Sequence, residues 1–176
     1  MDGPLPDLLR PGLEVVFVGI NPGLVSARRG HYFANPRNPF WRLLHETGLT
    51  PRLLDPTEDR LMPDFGYGLT DVVKRPSRGA ADLAAAEFRA GRPLLERKLL
   101  SAAPRVVCFN GRAAFDGYFG PGRFRGFGPQ SVTIGPARVY VVPSTSPANF
   151  AFSLEAKRRF FEGLKAWLEE LRGPGT

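Results

Sequence analysis

Cysteine, histidine and long apolar runs are all scarce in this chain. A single cysteine, Cys108, stands among 176 residues, so no internal disulfide can form and no cysteine-based structural metal site can be built. Its place inside Arg105–Phe109 (RVVCF) makes it a small core residue. The two histidines, His31 and His45, do not form a metal set, because His31 has no partner at ligand spacing and His45 falls on an expected helix. So little histidine also argues against a serine triad, and Ser26, Ser144 and Ser146 lack a nucleophile elbow. No apolar stretch approaches the roughly 20 residues of a membrane-spanning helix, and the first residues show no basic-then-apolar signal pattern. The expectation is a soluble, cytoplasmic protein with no membrane partner. Neither a phosphate-binding Gly-Lys loop nor three spaced dinucleotide glycines follow the first expected strand. No cofactor and no metal is called for.

What is present is a globular composition, 43% hydrophobic and 23% charged, at a length that predicts one domain over residues 1–176. Gly 20 and Pro 18 imply long loops. Lys+Arg 24 against Asp+Glu 17 give +7 and a pI near 10.2, which for so small a domain points to a polyanionic partner. A merely basic soluble protein has the same balance, so the motifs must decide.

Glu14–Ile20 (EVVFVGI) reads as a strand buried on both faces that ends in Asn21-Pro22-Gly23. Residues 24–39 are too irregular for helix or strand and lead into a helix at Phe40. A second irregular stretch over 51–68 precedes Leu69–Val73, a short strand or extended turn. Helix formers fill 81–101, with Gly91 and Pro93 expected to split them into two helices. Arg105–Phe109 and Arg138–Val142 are further core strands, Ala113–Phe119 is a helix, and Val132–Ile134 is a small edge strand. Ser153 suits the N-cap of a last helix whose apolar stripe is Phe160, Leu164, Trp167, Leu168 and Leu171.

This alternation predicts an α/β fold, a three-layer α/β/α sandwich around a mostly parallel sheet. Ligands of such sheets bind beyond the carboxyl ends of the strands. Asn21-Pro22-Gly23, Thr70-Asp71, Asn110-Gly111 and Pro143–Ser146 should therefore converge.

The same segments carry a resemblance. Gly19-Ile20-Asn21-Pro22-Gly23, Gly30–Pro36 (GHYFANP) with Asn38–Trp41 (NPFW), Gly68–Asp71 (GLTD), Phe109-Asn110-Gly111 and Pro143–Ser146 (PSTS) follow one another in an order that is similar to the mismatch-specific uracil-DNA and thymine-DNA glycosylase family, within the uracil-DNA glycosylase superfamily. The resemblance covers nearly the whole chain. It implies that Asn21 positions the water attacking C1′ of the deoxyribose, that Phe33 stacks on a flipped base, and that backbone groups of Ile20 and Phe33 read the pyrimidine edge. Ser26 and Asn110 are further substrate-binding candidates. Asp71 is not inherited from the family pattern; as a carboxylate beside an amide that cannot accept a proton, it is a candidate general base or pyrimidine contact. Capping a turn, or pairing with Lys74 or Arg75, is its other reading.

The resemblance also makes Ser144–Phe150 the loop that enters the minor groove. Ser146, Pro147, Ala148 and Asn149 are then DNA-binding candidates, with small Ala148 at the wedge position. Lys74 and Arg75, with Arg78, Arg112 and Lys157–Arg159, are candidate phosphate contacts. The implied activity is a monofunctional glycosylase, a monomer that excises uracil, or thymine and modified pyrimidines, from duplex DNA with G·U or G·T mismatches and so initiates base excision repair. A non-catalytic mismatch-binding module and a hydrolase of free nucleotides are the alternatives.

Overall fold

Short runs of β-branched and aromatic residues form the centre of the molecule. The computed structural model describes residues 3–173; residues 1, 2 and 174–176 of the expected domain lie outside the described residues. The strands are β1 (Val15–Gly19), β2 (Tyr67–Asp71), β3 (Val106–Asn110), β4 (Gly128–Ile134) and β5 (Ala137–Val142). They form one sheet in the order β2-β1-β3-β5-β4, parallel except for the antiparallel edge strand β4. Every residue of β1, β2 and β3 is buried, as expected of parallel strands covered on both faces.

Because side chains alternate along a strand, the sheet separates two apolar layers. Val15, Phe17, Val106, Cys108, Tyr140 and Val142 face one, with α2 (Phe40–Glu46) and α5 (Leu154–Arg172). Val16, Val18, Val107, Phe109, Val139 and Val141 face the other, with α3 (Ala85–Ala102) and α4 (Arg112–Phe119). The expected three-layer sandwich is the observed fold. Ser153 caps α5 by accepting from the Ala156 N–H at 3.1 Å. The stripe of α5 buries Phe161, Leu164 and Leu168, with Phe160, Trp167 and Leu171 packed at its margin.

Three local expectations fail for identifiable reasons. Residues 24–39 are not wholly irregular, since Leu24–Arg29 forms the short helix α1, stopped where Gly30 turns left-handed at φ 77. Within 51–68, Pro56–Phe65 is a 3₁₀ helix whose start is capped by Asp55 and Glu58. Gly91 and Pro93 do not split α3. Pro93 is exposed, where water can satisfy the carbonyl its ring leaves unpaired, and Gly91 is required for packing, because a Cβ there would lie 2.2 Å from the Val72 carbonyl oxygen. Among the described residues no helix is long and apolar enough to cross a membrane.

Candidate active site

The parallel strands deliver their carboxyl ends to one cavity of about 730 Å³, lined by residues 19–26, Phe33, Asp71, 77–80, 110–113 and 144–149. All four segments expected to converge do so.

Asn21 leaves β1 two residues beyond Gly19. Its Nδ2 donates to the Arg75 carbonyl at 2.7 Å and to Ser77 Oγ at 2.8 Å. A carbonyl can only accept, so this contact fixes which end of the amide is which. Oδ1 takes no hydrogen bond from the described residues and is an acceptor held rigidly at the cavity wall.

Phe33 sits on a loop tied on either side. Tyr32 N–H donates to Asp59 Oδ2 at 3.0 Å, Trp41 Nε1 donates to the Tyr32 carbonyl at 3.2 Å, and Ala34 N–H donates to Ser26 Oγ at 3.0 Å. These bonds hold Phe33 at φ 51, a left-handed conformation that costs a bulky side chain energy and persists only where the surroundings impose it. One face of the ring stacks on Phe40, centroids 4.1 Å apart at 29°. The half-buried ring also lines the cavity, so it can offer its remaining surface to a planar ligand.

Asp71 ends β2 in register with Gly19. A Cβ on Gly19 would come within 2.8 Å of Asp71 Oδ1 and 4.0 Å of Phe33 Cζ; the glycine is what lets carboxyl and ring approach across the end of β1. Asp71 is 5% exposed and its Oδ2 has no hydrogen-bond partner among the described residues. The nearest cation, Lys74 Nζ, stands 4.0 Å away. Burial pushes the carboxyl up to about 7, against the pull of Lys74 and Lys98 and with the help of Asp7. An uncompensated buried carboxyl is expensive, and such groups concentrate where chemistry needs them.

Several other candidates are occupied. Ser26 is buried and spends its oxygen as acceptor on the Phe33 loop. Asn110 Nδ2 donates to Thr145 Oγ1 at 3.0 Å and its Oδ1 accepts from the Thr145 N–H at 2.9 Å, which ties β3 to the loop after β5. The Ile20 carbonyl accepts from the Val73 N–H at 2.8 Å. Arg75 is engaged within the chain: Glu87 takes its guanidinium in two bonds of 2.6 and 3.0 Å and the Asp82 carbonyl a third at 2.9 Å. Lys74 is held by Asp7 at 2.8 Å. Lys157 is buried and donates to the Asn149 carbonyl at 3.2 Å, while Arg158 pairs with Glu46 and Glu155 and Arg112 with Asp116. Among the described residues, the rim cations with no ion pair or hydrogen bond are Arg28 and Arg78; the motifs had not marked Arg28 at all.

The loop after β5 is braced internally. Ser146 Oγ accepts from the Ala148 N–H, the Ser146 carbonyl from the Asn149 N–H, and Asn149 Nδ2 donates to the Ser144 carbonyl while its Oδ1 accepts from the Ala151 N–H. The Asn149 amide therefore braces the loop with one bond from each of its ends. Phe150, beside Pro147 and small Ala148, projects instead at 90% exposure.

A rigid acceptor, a half-stacked aromatic and a buried carboxyl thus stand together at the strand ends of a parallel α/β sheet. Residues 6–170 match the model of the uracil DNA glycosylase superfamily, and the chain belongs to that superfamily. The solution NMR structure of a candidate uracil DNA glycosylase from Methanosarcina acetivorans superposes with a TM-score of 0.64 at 26% sequence identity, over 96% of this chain and 98% of that one.

Proposed function

We propose that this chain is a monofunctional DNA glycosylase that excises uracil from duplex DNA, with G·U mismatches the preferred substrate and G·T or modified pyrimidines further ones. The observation that carries the reading is the pairing of Asn21, whose Oδ1 is left to accept, with an Asp71 carboxyl whose buried Oδ2 has no hydrogen-bond partner among the described residues, in one cavity beside the Phe33 ring.

C1′ of a stacked nucleotide is out of reach, so the uracil nucleotide is extruded into the cavity, at a cost of a few kcal/mol that is smaller for a mismatched pair. The base lies against Phe33. Asn21 Oδ1 accepts a hydrogen bond from the attacking water and orients it. As the N1–C1′ bond breaks, its electron pair leaves with the base, the water oxygen bonds to C1′, and Asp71 takes the water proton. Near its midpoint of about 7, Asp71 is ionised often enough at neutral pH to accept a proton and basic enough to hold it, the balance that favours general-base catalysis. Among the described residues no lysine lines the cavity, which supports hydrolysis without an amine adduct and release of an intact abasic strand. Arg28 and Arg78 suit phosphates flanking the flipped nucleotide, and Phe150 is the loop's apolar side chain for stacking into the duplex.

The test is single-turnover base release from G·U, A·U and G·T duplexes and from single-stranded uracil DNA, with the native chain, Asn21→Ala and Asp71→Asn. Release that is fastest from G·U and collapses in both variants is the expected result. Tight duplex binding with no release from any substrate would leave a mismatch-binding module. Absence of duplex affinity would turn the reading toward free nucleotides.

A further inference from the structure

Behind Asp71, outside the cavity lining, lies a charged cluster with no assigned role. The N-terminal segment runs antiparallel to β2 where Leu8 bridges Leu69, and this brings Asp7 over Thr70 and the residues that follow. Asp7 Oδ1 accepts from Thr70 Oγ1 at 2.6 Å and from Lys74 Nζ at 2.8 Å, while its Oδ2 lies 2.6 Å from Lys98 Nζ on α3. Burial works against its charge, yet the bonds from Lys74, Lys98 and Thr70 outweigh burial and hold Asp7 below the usual carboxylate range. Lys74, three residues after Asp71, thus has two carboxyls within ion-pair distance. It bonds the distant Asp7 and stays 4.0 Å from its neighbour.

We infer that Asp7 is a positioning residue of this site: by drawing the Lys74 ammonium onto itself it keeps the Asp71 carboxyl, on the cavity side, free of a hydrogen-bonded cation. The inference rests on the reading of Asp71 as proton acceptor. A carboxylate that takes a lysine hydrogen bond becomes a weaker base, ionised far below neutrality. Closing the gap between Lys74 and Asp71 needs about 1 Å of ammonium travel, well within the freedom of a lysine side chain. Asp7 opposes it at 2.8 Å, more closely than the Tyr32 hydroxyl, which Lys74 reaches only at 3.5 Å.

The charged and titratable groups facing Asp71 are Lys74 on its own loop, Asp7 on the N-terminal segment, Lys98 on α3 and the Tyr32 phenol; Gly19 of β1 contributes none. Tyr32 donates its hydroxyl proton to the Pro6 carbonyl at 2.8 Å, and its own ionisation is driven well upward by burial and by the carboxylates of Asp71, Asp7 and Asp59. It stays neutral. Removing the negative charge of Asp7 and releasing Lys74 both favour ionised Asp71, so the direction of the effect is unambiguous.

The experiment is a carboxyl ¹³C NMR titration of Asp71 in the full chain, run beside the pH profile of single-turnover uracil release, for the native protein, Asp7→Asn, Lys74→Met and the double variant. In Asp7→Asn the Asp71 midpoint should move at least one pH unit to the acid side, the acid limb of the rate profile should follow, and the plateau rate should fall. Removing Lys74 in the double variant should return the midpoint to the native value or above it. A lost packing contact would lower the rate at every pH without moving either midpoint. An Asp71 midpoint unchanged in folded Asp7→Asn overturns the inference. If Asp7→Asn does not fold, Asp7→Ser, which also removes the carboxylate that holds Lys74, decides: an Asp71 midpoint displaced to the acid side supports the inference and an unmoved one overturns it. A midpoint that shifts while the rate profile does not would overturn Asp71 as the base and still support the hold of Asp7 on Lys74.

Discussion

The two halves of the strand-end rim treat their polar groups in opposite ways. At the ends of β3 and β5, Asn110 and Thr145 satisfy each other, and Ser144, Ser146 and Asn149 close a turn on themselves. At the ends of β1 and β2, Asn21 has an acceptor to spare and Asp71 has a buried oxygen with no donor. Folding alone would favour the first arrangement, because an unsatisfied buried polar group costs about 1–3 kcal/mol and more if charged. The contrast shows rigidity in one half of the rim, and the proposed chemistry rests on the other.

The sharpest way to break that contrast is kinetic. Asp71→Asn and Asn21→Ala should each lower single-turnover release about 10²- to 10⁴-fold, whereas Asn110→Ala should change it less than tenfold in the folded protein. Comparable losses from Asn110→Ala and Asn21→Ala would erase the division.

Stability should answer in the opposite sense. A carboxyl whose midpoint rises from 3.8 to about 7 on folding is protonated in the native state and ionised in the unfolded chain between those values. The unfolded chain therefore binds fewer protons there, and native stability falls as pH rises through that window. Asp71→Asn escapes this cost. Its stability advantage should be absent near pH 3, grow from about pH 4 to 7, and level off above at no more than about 4 kcal/mol, the ceiling set by roughly three pH units. Urea unfolding at pH 4, 6 and 8 measures it; an advantage independent of pH would mean that Asp71 is not the carboxyl responsible.

On the other half of the rim, Asn110→Ala strands the N–H of fully buried Thr145 and should cost about 1–3 kcal/mol in the same unfolding experiment. The smallest effect expected belongs to the rim cations. If Arg28 and Arg78 each meet a phosphate, replacing either by alanine should reduce the slope of log affinity against log salt by about 0.9, while Arg75→Ala, whose partner is Glu87, should leave the slope unchanged.

Much of this was legible in the residue order. Buried apolar runs, turn residues after them and a helical stripe on α5 specify strand, loop and helix by local physics, and the strand-end rule then names which loops must meet. Gly30 as a helix stop and the exposed face of Pro93 were harder to read, because a six-residue helix carries too little periodicity and the cost of a proline depends on whether its partner carbonyl sees water. The rim cations were the least legible. Lys74 and Arg75 stand nearest the motif in sequence, yet Asp7 and Glu87, 67 and 12 residues away, claim them.

By itself, then, the sequence determined the layered sheet, the convergence of Asn21, Asp71, Asn110 and the Ser/Pro loop, and the superfamily to which the chain belongs, since each follows from patterns carried within short segments. Only the tertiary structure decided which of those groups are spent on one another and which are left over. Hydrogen-bond partners and desolvation are properties of contacts between segments, so the burial of Asp71, the spare acceptor of Asn21 and the grip of Asp7 on Lys74 exist only once β1, β2, α3 and the N-terminal segment are packed together.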